Sequence, residues 1–322
     1  MRCVVTGCAG FVGSTLSEYL LAAGYEVLGI DSFVDYYPRR IKEANLERAR
    51  SFAKFAFVET DLQSASLEEL FGGAESIFHL AAQAGVRASW GDDFRIYTGN
   101  NILASQRVLE AARSSRVKET LKKIVYASSS SVYGHAETLP TIETLRPQPI
   151  SPYGVSKLAA EHLMVLYTKE FGVPTASLRY FTVYGPRQRP DMAFHRFIKA
   201  GLLGEPIELY DDGEQSRDFT FINDAVAATA AAANAQTPGV VCNIGGGSRV
   251  TINEVIREIG DILGSPLKVR RQARQSGDAK HTSADTSLAA REFGYKPQVA
   301  LKEGLRAEAV WIEEMLKCGV LD

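Results

Sequence analysis

The sequence predicts an α/β protein organised on a parallel, doubly wound sheet, and three observations carry that reading. Short apolar runs bounded by turn residues alternate with stretches of helical periodicity, the pattern of strands buried on both faces. A glycine-rich turn joins the first apolar run to the first helix. At 322 residues, with 45% hydrophobic and 23% charged side chains, the chain can bury a large core and is long enough for two lobes.

Arg2–Thr6 reads as the first buried strand. The turn Gly7-Cys8-Ala9-Gly10-Phe11-Val12-Gly13 follows, and an amphipathic helix through Leu16, Leu20 and Leu21 ends at Gly24. A second strand, 26–30, is closed by Asp31. Strand, glycine turn, helix, strand and acid in this order form a dinucleotide fingerprint, and with it a Rossmann-type sheet. The glycines let the backbone approach a pyrophosphate whose charge sits on the helix N-terminus. Asp31 is placed to accept from the adenosine ribose hydroxyls and to repel a 2′-phosphate, which favours NAD over NADP. Arg39 and Arg40 downstream leave NADP as the lesser alternative.

Phe55–Glu59 and 76–80 read as the next strands, with a turn and short helix over 62–70 between them. A long helix is expected over 92–113, a strand over 123–127, and later strands at Thr175–Tyr180 and Val240–Ile244. In such sheets ligands bind at the carboxyl ends of the strands. Asp61 and Leu62, Ala81 and Ala82, Ser128 to Ser131, and Phe181 and Thr182 all follow predicted strands closely. Beyond them the periodicity loosens. The stretch 186–213 holds several turn signals, 265–281 is polar with Arg270, Arg271 and Arg274, and 223–234 is an alanine-rich helix.

Ser151-Pro152-Tyr153-Gly154-Val155-Ser156-Lys157 opens a helix of about 20 residues, with Ser151 at the N-cap and Pro152 at the first helical position. Tyr153 and Lys157 then lie one turn apart on one face. A free tyrosine titrates near ~10 and is a poor base at neutral pH. An ammonium within ~4–6 Å favours the phenolate by up to ~4 kcal/mol at an effective dielectric of ~20. Burial opposes that shift, and an oxidised nicotinamide would add a second positive charge. Tyr153 could then exchange a proton with a substrate hydroxyl while hydride goes to the cofactor.

Composition excludes other classes. A net charge of −2 makes no electrostatic case for nucleic acid or an acidic membrane surface. Cys3, Cys8, Cys242 and Cys318 lack C-x-x-C spacing and are expected as reduced thiols. His79, His135, His162, His195 and His281 are equally dispersed, so no metal cluster is expected. The sequence starts directly with an apolar strand and has no apolar run of about 18 residues, which predicts a cytoplasmic protein without a membrane span.

The glycine turn, Asp31, the run Ser128-Ser129-Ser130-Ser131-Val132-Tyr133-Gly134 and Tyr153-x-x-x-Lys157 together resemble the extended short-chain dehydrogenase/reductases that act on nucleotide sugars. Arg217-Asp218-Phe219, Asn243-Ile244-Gly245, Gly277-Asp278 and Ala284-Asp285 extend the resemblance over nearly the whole chain. It implies NAD held by Gly7, Gly10, Phe11, Val12, Gly13, Asp31, Asp61, Leu62, Ala81, Ala82, Gln83, Ser128, Tyr153 and Lys157. It implies a catalytic set of Ser129, Tyr153 and Lys157, and sugar-nucleotide contacts from Val86, Arg87, Ser129, Ser130, Ser131 and Thr182. Arg189, Arg217 and Asp278 fall where the family holds the nucleotide diphosphate and ribose. The expected NAD-binding domain is 1–181 with returns at about 220–246 and 282–294, and the nucleotide-sugar lobe is 182–219, 247–281 and 295–322. The family often forms homodimers through its two long helices, here about 92–113 and 153–171.

Three departures narrow the reaction. The 4,6-dehydratases of the family carry Asp-Glu at Ser130-Ser131, the uronate decarboxylases carry Glu at Ser131, and many hexose 4-epimerases carry Asn at Thr182. The segments Ala82-Gln83-Ala84-Gly85-Val86-Arg87 and Arg179 to Ala193 look like UDP-glucuronate 4-epimerases. A 4-keto uronate is a β-keto acid prone to lose carbon dioxide. Neutral hydroxyls could hold its carboxylate unaligned through charge-assisted bonds of ~1.5–3 kcal/mol each. Epimerisation of neutral UDP-hexoses is the alternative, followed by decarboxylation or dehydration, and last by a non-catalytic NAD-binding relative.

Overall fold

A computed structural model describes residues 1–273 and 279–321. Its centre is a seven-stranded sheet of β1 (Arg2–Thr6), β2 (Glu26–Asp31), β3 (Phe55–Glu59), β4 (Ser76–His79), β5 (Lys123–Ser129), β6 (Thr175–Tyr180) and a later strand, Val240–Ile244. All pairings are parallel, in the order Val240–Ile244, β6, β5, β4, β1, β2, β3. The order reverses between β1 and β4, which opens the crevice where doubly wound sheets bind ligands. Alternation along β1 sends Cys3 and Val5 into one apolar core and Val4 into the other, so both faces are covered.

Helices α1 (Phe11–Ala22), α2 (Arg39–Arg50), α3 (Leu67–Phe71), α4 (Phe94–Tyr97), α5 (Ala104–Arg113), α6 (Ser115–Lys118) and α7 (Pro152–Phe171) fill the connections. The Ser151 hydroxyl accepts from Gly154 N at 3.1 Å, and Gly172 ends α7 at φ 68°, as N- and C-caps do. The expected helix over 92–113 is not uniform. A 3₁₀ turn (Gly91–Asp93) leads into α4, and a π-helical stretch, Thr98–Leu103, separates α4 from α5. Its run Thr98-Gly99-Asn100-Asn101 consists of poor helix formers. The widened turn lets buried Asn101 bond both the Gln83 backbone and the Ser156 hydroxyl. Helix α2 carries no apolar signal strong enough to announce it: its core-facing side is Ile41, Lys42, Asn45, Leu46 and Ala49.

The rest of the chain adds β7 (Thr182–Tyr184), α8 (Ala193–Leu203), β8 (Ile207–Tyr210), β9 (Ser216–Phe221), α9 (Ile222–Ala232), β10 (the Val240–Ile244 strand), β11 (Arg249–Thr251), α10 (Ile252–Leu263), β12 (Val269–Gln272), α11 (Ser287–Phe293) and α12 (Leu301–Lys317). These include a sheet ordered β11-β9-β7 and a parallel pair of β12 and β8. Tyr184, Phe194, Phe219 and Phe221 pack ring to ring in the same apolar core that covers β1 and α1. Small sheets and main sheet therefore share one hydrophobic interior.

Candidate active site

The glycine turn closes directly over the crevice. Gly7 holds φ 73° and donates its N–H to Ile30 O at 2.7 Å. A Cβ on it would come within 2.8 Å of Ala81 N, and one on Gly13 would strike the Gly7 carbonyl. Gly10 caps α1 without a side chain, and the first turn contains no acid, so the N–H groups of Phe11, Val12 and Gly13 carry the positive end of the helix alone. Asp31 accepts from Ala9 N at 3.1 Å and Phe33 N at 2.9 Å, which locks it beside the turn. This turn, pressed against Ala81 with the N–H groups of α1 left uncovered by side chains, fits a pyrophosphate with its ribose at Asp31. Arg39 makes a two-pronged pair with Glu59 at 2.7 and 2.6 Å and so offers little charge to a 2′-phosphate. Asp61 accepts from Gln63 N, Leu62 is buried beneath it, and Ala81 and Ala82 lie where β4 ends.

Adjacent strands then deliver the chemical groups. Ser129 ends β5, and its Oγ accepts from Ser131 N at 3.1 Å. The Ser129 hydroxyl also favours ionisation of the Tyr153 phenol, which counters the rise in that phenol's pKa caused chiefly by burial. Sequence reasoning looked for the lysine to pull Tyr153 down, but burial prevails and the helping groups are Ser129 and the Arg189 charge. Lys157 is 3% exposed; burial pushes its ammonium down to about 7, against the pull of Glu161. Its Nζ lies 4.5 Å from the centroid of the Tyr126 ring. Such a lysine is close to losing its charge near neutral pH.

Ser128 differs from its neighbours. Strand alternation turns its hydroxyl away from Ser129's, and it donates to Glu161 at 2.6 Å. Glu161 receives Arg179 at 3.0 and 2.6 Å, Arg179 donates to Tyr133 at 2.7 Å, and Tyr133 donates to Asn243 at 2.8 Å. That buried chain ties β5, α7, β6 and β10 together behind the serines. Any contact of Ser128 with a cofactor would have to use its backbone.

The remaining predicted residues lie on neighbouring segments. Thr182 opens β7, and Ser130 and Ser131 form a 3₁₀ turn after β5. Arg189 donates to Asp191 at 2.9 and 3.0 Å, and Tyr36 donates to the same carboxylate at 3.3 Å. Arg87, just after Val86, stacks on Tyr210 at 4.3 Å. Arg217 reaches the carbonyls of Ser216 and Lys280, both at 3.0 Å. Asp278, with Arg274 and Gly277, lies outside the described residues. Asn101, Tyr97, Tyr36, Tyr126, His79 and Glu161 border the site and were missed from sequence. Only the helix-poor run around Asn101 offered a signal. A cavity of about 330 Å³ lies elsewhere, between the start of α2, α8 and Ile207, and none of Ser129, Tyr153 or Lys157 lines it. No three His, Cys, Asp or Glu side chains gather to hold a metal among the described residues.

Comparison with known proteins agrees with this geometry. The family model for the NAD dependent epimerase/dehydratase family matches residues 3–245. A Bacillus subtilis (strain 168) protein described as an uncharacterized UDP-glucose epimerase is 42% identical over 98% of this chain and 99% of its own length. The UDP-glucuronate 4-epimerase of Thermodesulfobacterium geofontis is 35% identical over 98% of this chain and 97% of its own. The crystal structure of the Bacillus cereus UDP-glucuronic acid 4-epimerase, in complex with UDP-glucuronic acid and NAD, superposes with a TM-score of 0.94. It is 42% identical and covers 98% of this chain and 100% of that one.

Proposed function

This chain belongs to the NAD dependent epimerase/dehydratase family, and we propose that within it the protein is an isomerase that interconverts UDP-glucuronate and UDP-galacturonate at C4. The observation that carries the sugar assignment is the run of neutral hydroxyls Ser129, Ser130 and Ser131 after β5, with Thr182 after the neighbouring β6, where a lyase would need an acid. The likeness to proteins named UDP-glucuronate 4-epimerases supports it.

In this reading the glycine turn, Asp31, Asp61, Leu62, Ala81, Ala82 and Gln83 hold NAD. When bound, NAD accepts the C4 hydride and returns it, so no net oxidation results. As a phenolate, which the charges of Lys157 and of oxidised nicotinamide would favour, Tyr153 takes the C4 hydroxyl proton, relayed by Ser129, and as the phenol gives it back once the 4-keto sugar has turned over. Lys157 keeps positive charge beside the phenol. Decarboxylation needs the C5–C6 bond perpendicular to the ketone and the carboxylate desolvated. Hydroxyl donors that keep the carboxylate bonded prevent both.

Arg189, Arg217 and Asp278 are proposed to bind the nucleotide diphosphate and ribose in a lobe of 182–219, 247–281 and 295–322, and Val86 and Arg87 to contact the substrate from the NAD-binding domain. We further propose a cytoplasmic homodimer. Ile96 and Leu103 near α4 and α5, and Val155, Leu166 and Phe171 on α7, are large apolar side chains left exposed on the two helices such a dimer would pair. No helix among the described residues is long and apolar enough to cross a membrane.

The test is a panel of UDP-sugars with products resolved by chromatography. UDP-glucuronate should yield UDP-galacturonate with almost no pentose product, and Ser130→Ala or Thr182→Val should shift the partition toward carbon dioxide by about 10–150-fold. Equal turnover of UDP-glucose would replace this reading with the neutral-hexose one, which the name of the B. subtilis relative favours.

A further inference from the structure

Lys157 needs something to keep it charged. It sits 3% exposed, where burial favours the neutral amine. The groups facing it are Glu161 on α7, His79 on β4 and Tyr126 on β5. His79 is fully buried, held between Thr6 and Ser105 at 2.9 Å each, and stays neutral, so it neither helps nor repels. Glu161 attracts Lys157, but its carboxylate already receives Arg179 twice and Ser128 once. The face of an aromatic ring is the remaining source of attraction for an ammonium, and it offers nothing to a neutral amine.

Resting on the reading of Tyr153 and Lys157 given above, we propose that Tyr126 is a positioning residue for that pair. The face of its ring, 4.5 Å from Lys157 Nζ, holds the group as an ammonium ion and fixes its direction. The ring is 1% exposed and set against His79 at 5.7 Å between centroids, so it cannot turn away without disturbing β4. Its hydroxyl finds no hydrogen-bond partner among the described residues. The ring, not the hydroxyl, is the working part.

Three replacements at this position separate the roles: Tyr126→Phe, Tyr126→Leu, and 3,4,5-trifluorophenylalanine at position 126, which keeps the shape of the ring while draining its face of negative charge. Lys157 is titrated in each holoprotein by NMR of ¹³Cε-labelled lysine, with Lys157→Arg for assignment, and kcat is followed against pH with UDP-glucuronate. Tyr126→Phe should titrate as the parent. The leucine and fluorinated variants should lose the Lys157 charge about half to one and a half pH units lower, and the alkaline limb of kcat should move with it. An unmoved titration in the fluorinated variant, or a Tyr126→Phe displaced as far as Tyr126→Leu, overturns the proposal. If Tyr126→Leu does not fold, the fluorinated variant decides. If no UDP-sugar turns over at all, the functional reading falls, while the NMR titration still judges the pairing.

Discussion

The two walls of the cleft are built by different means. On the sheet side, Ser129, Tyr153 and Lys157 come from β5 and α7, and a buried chain from Ser128 through Glu161, Arg179 and Tyr133 to Asn243 locks them from behind. On the other side, Arg87 comes from a 3₁₀ turn, Arg189 from a loop and Arg217 from the central strand β9, and their contacts include Tyr210, Asp191 and two backbone carbonyls. The first wall is held by bonds within the protein itself, as a site of proton transfer requires. The second wall holds guanidinium groups on contacts that an incoming phosphate or carboxylate can replace. Precision is stored in the sheet, and adaptability in the arginines.

That contrast breaks most visibly at Arg179. Arg179→Met strips buried Glu161 of its two guanidinium bonds, leaving it Ser128 and the more distant Lys157 charge, and should cost about 3 kcal/mol of stability. The double change Arg179→Met with Glu161→Leu should recover most of it, as urea unfolding midpoints will report. Recovery would mean the pair is kept for the placement of Ser128 and Ser129, not for stability. If the single change is harmless, the sheet wall is not locked as described.

A smaller effect sharpens the same wall through pH. Burial, aided by the Lys157 charge, lowers the His79 pKa to about 3. The folded state thus binds fewer protons than the unfolded one below the ordinary histidine value of ~6.5. Stability from this group is complete above that value and is lost as pH falls toward 3. By pH ~5 the loss should reach about 2 kcal/mol. Burial raises the pKa values of Asp218 and Glu308, which acts in the opposite sense, so the comparison is with His79→Gln. That variant should show a flatter slope between pH ~7.5 and ~5, whatever its absolute stability.

The least effect belongs to the adaptable wall. Tyr36→Phe removes one donor, at 3.3 Å, from the Asp191 that holds Arg189. Thermal unfolding should stay within about 0.5 kcal/mol of the parent, with the change appearing in KM for the UDP-sugar more than in kcat. A collapse of stability would show that this wall is as rigid as the other.

By itself the sequence determined what depends on neighbours in the chain. Strand, glycine turn, helix and Asp31 are legible because burial on both faces and left-handed backbone leave marks within a few residues. The capped start of α7 is equally local, and it sets the spacing of Tyr153 and Lys157. The hydroxyl run after β5 needs no fold to be noticed. Only the tertiary structure decided what those groups experience. Tyr36 meets Asp191 across 155 residues, and Gln83 meets Asn101 through a π-helical turn. Ser128 and Ser129 are neighbours in sequence yet serve opposite faces of the sheet. The same holds for Tyr126, whose ring reaches Lys157 because parallel pairing of β4, β5 and β6 sets β5 beneath α7. No local window carries that information, since the free energy of a buried charge depends on whatever the fold brings within a few ångströms of it.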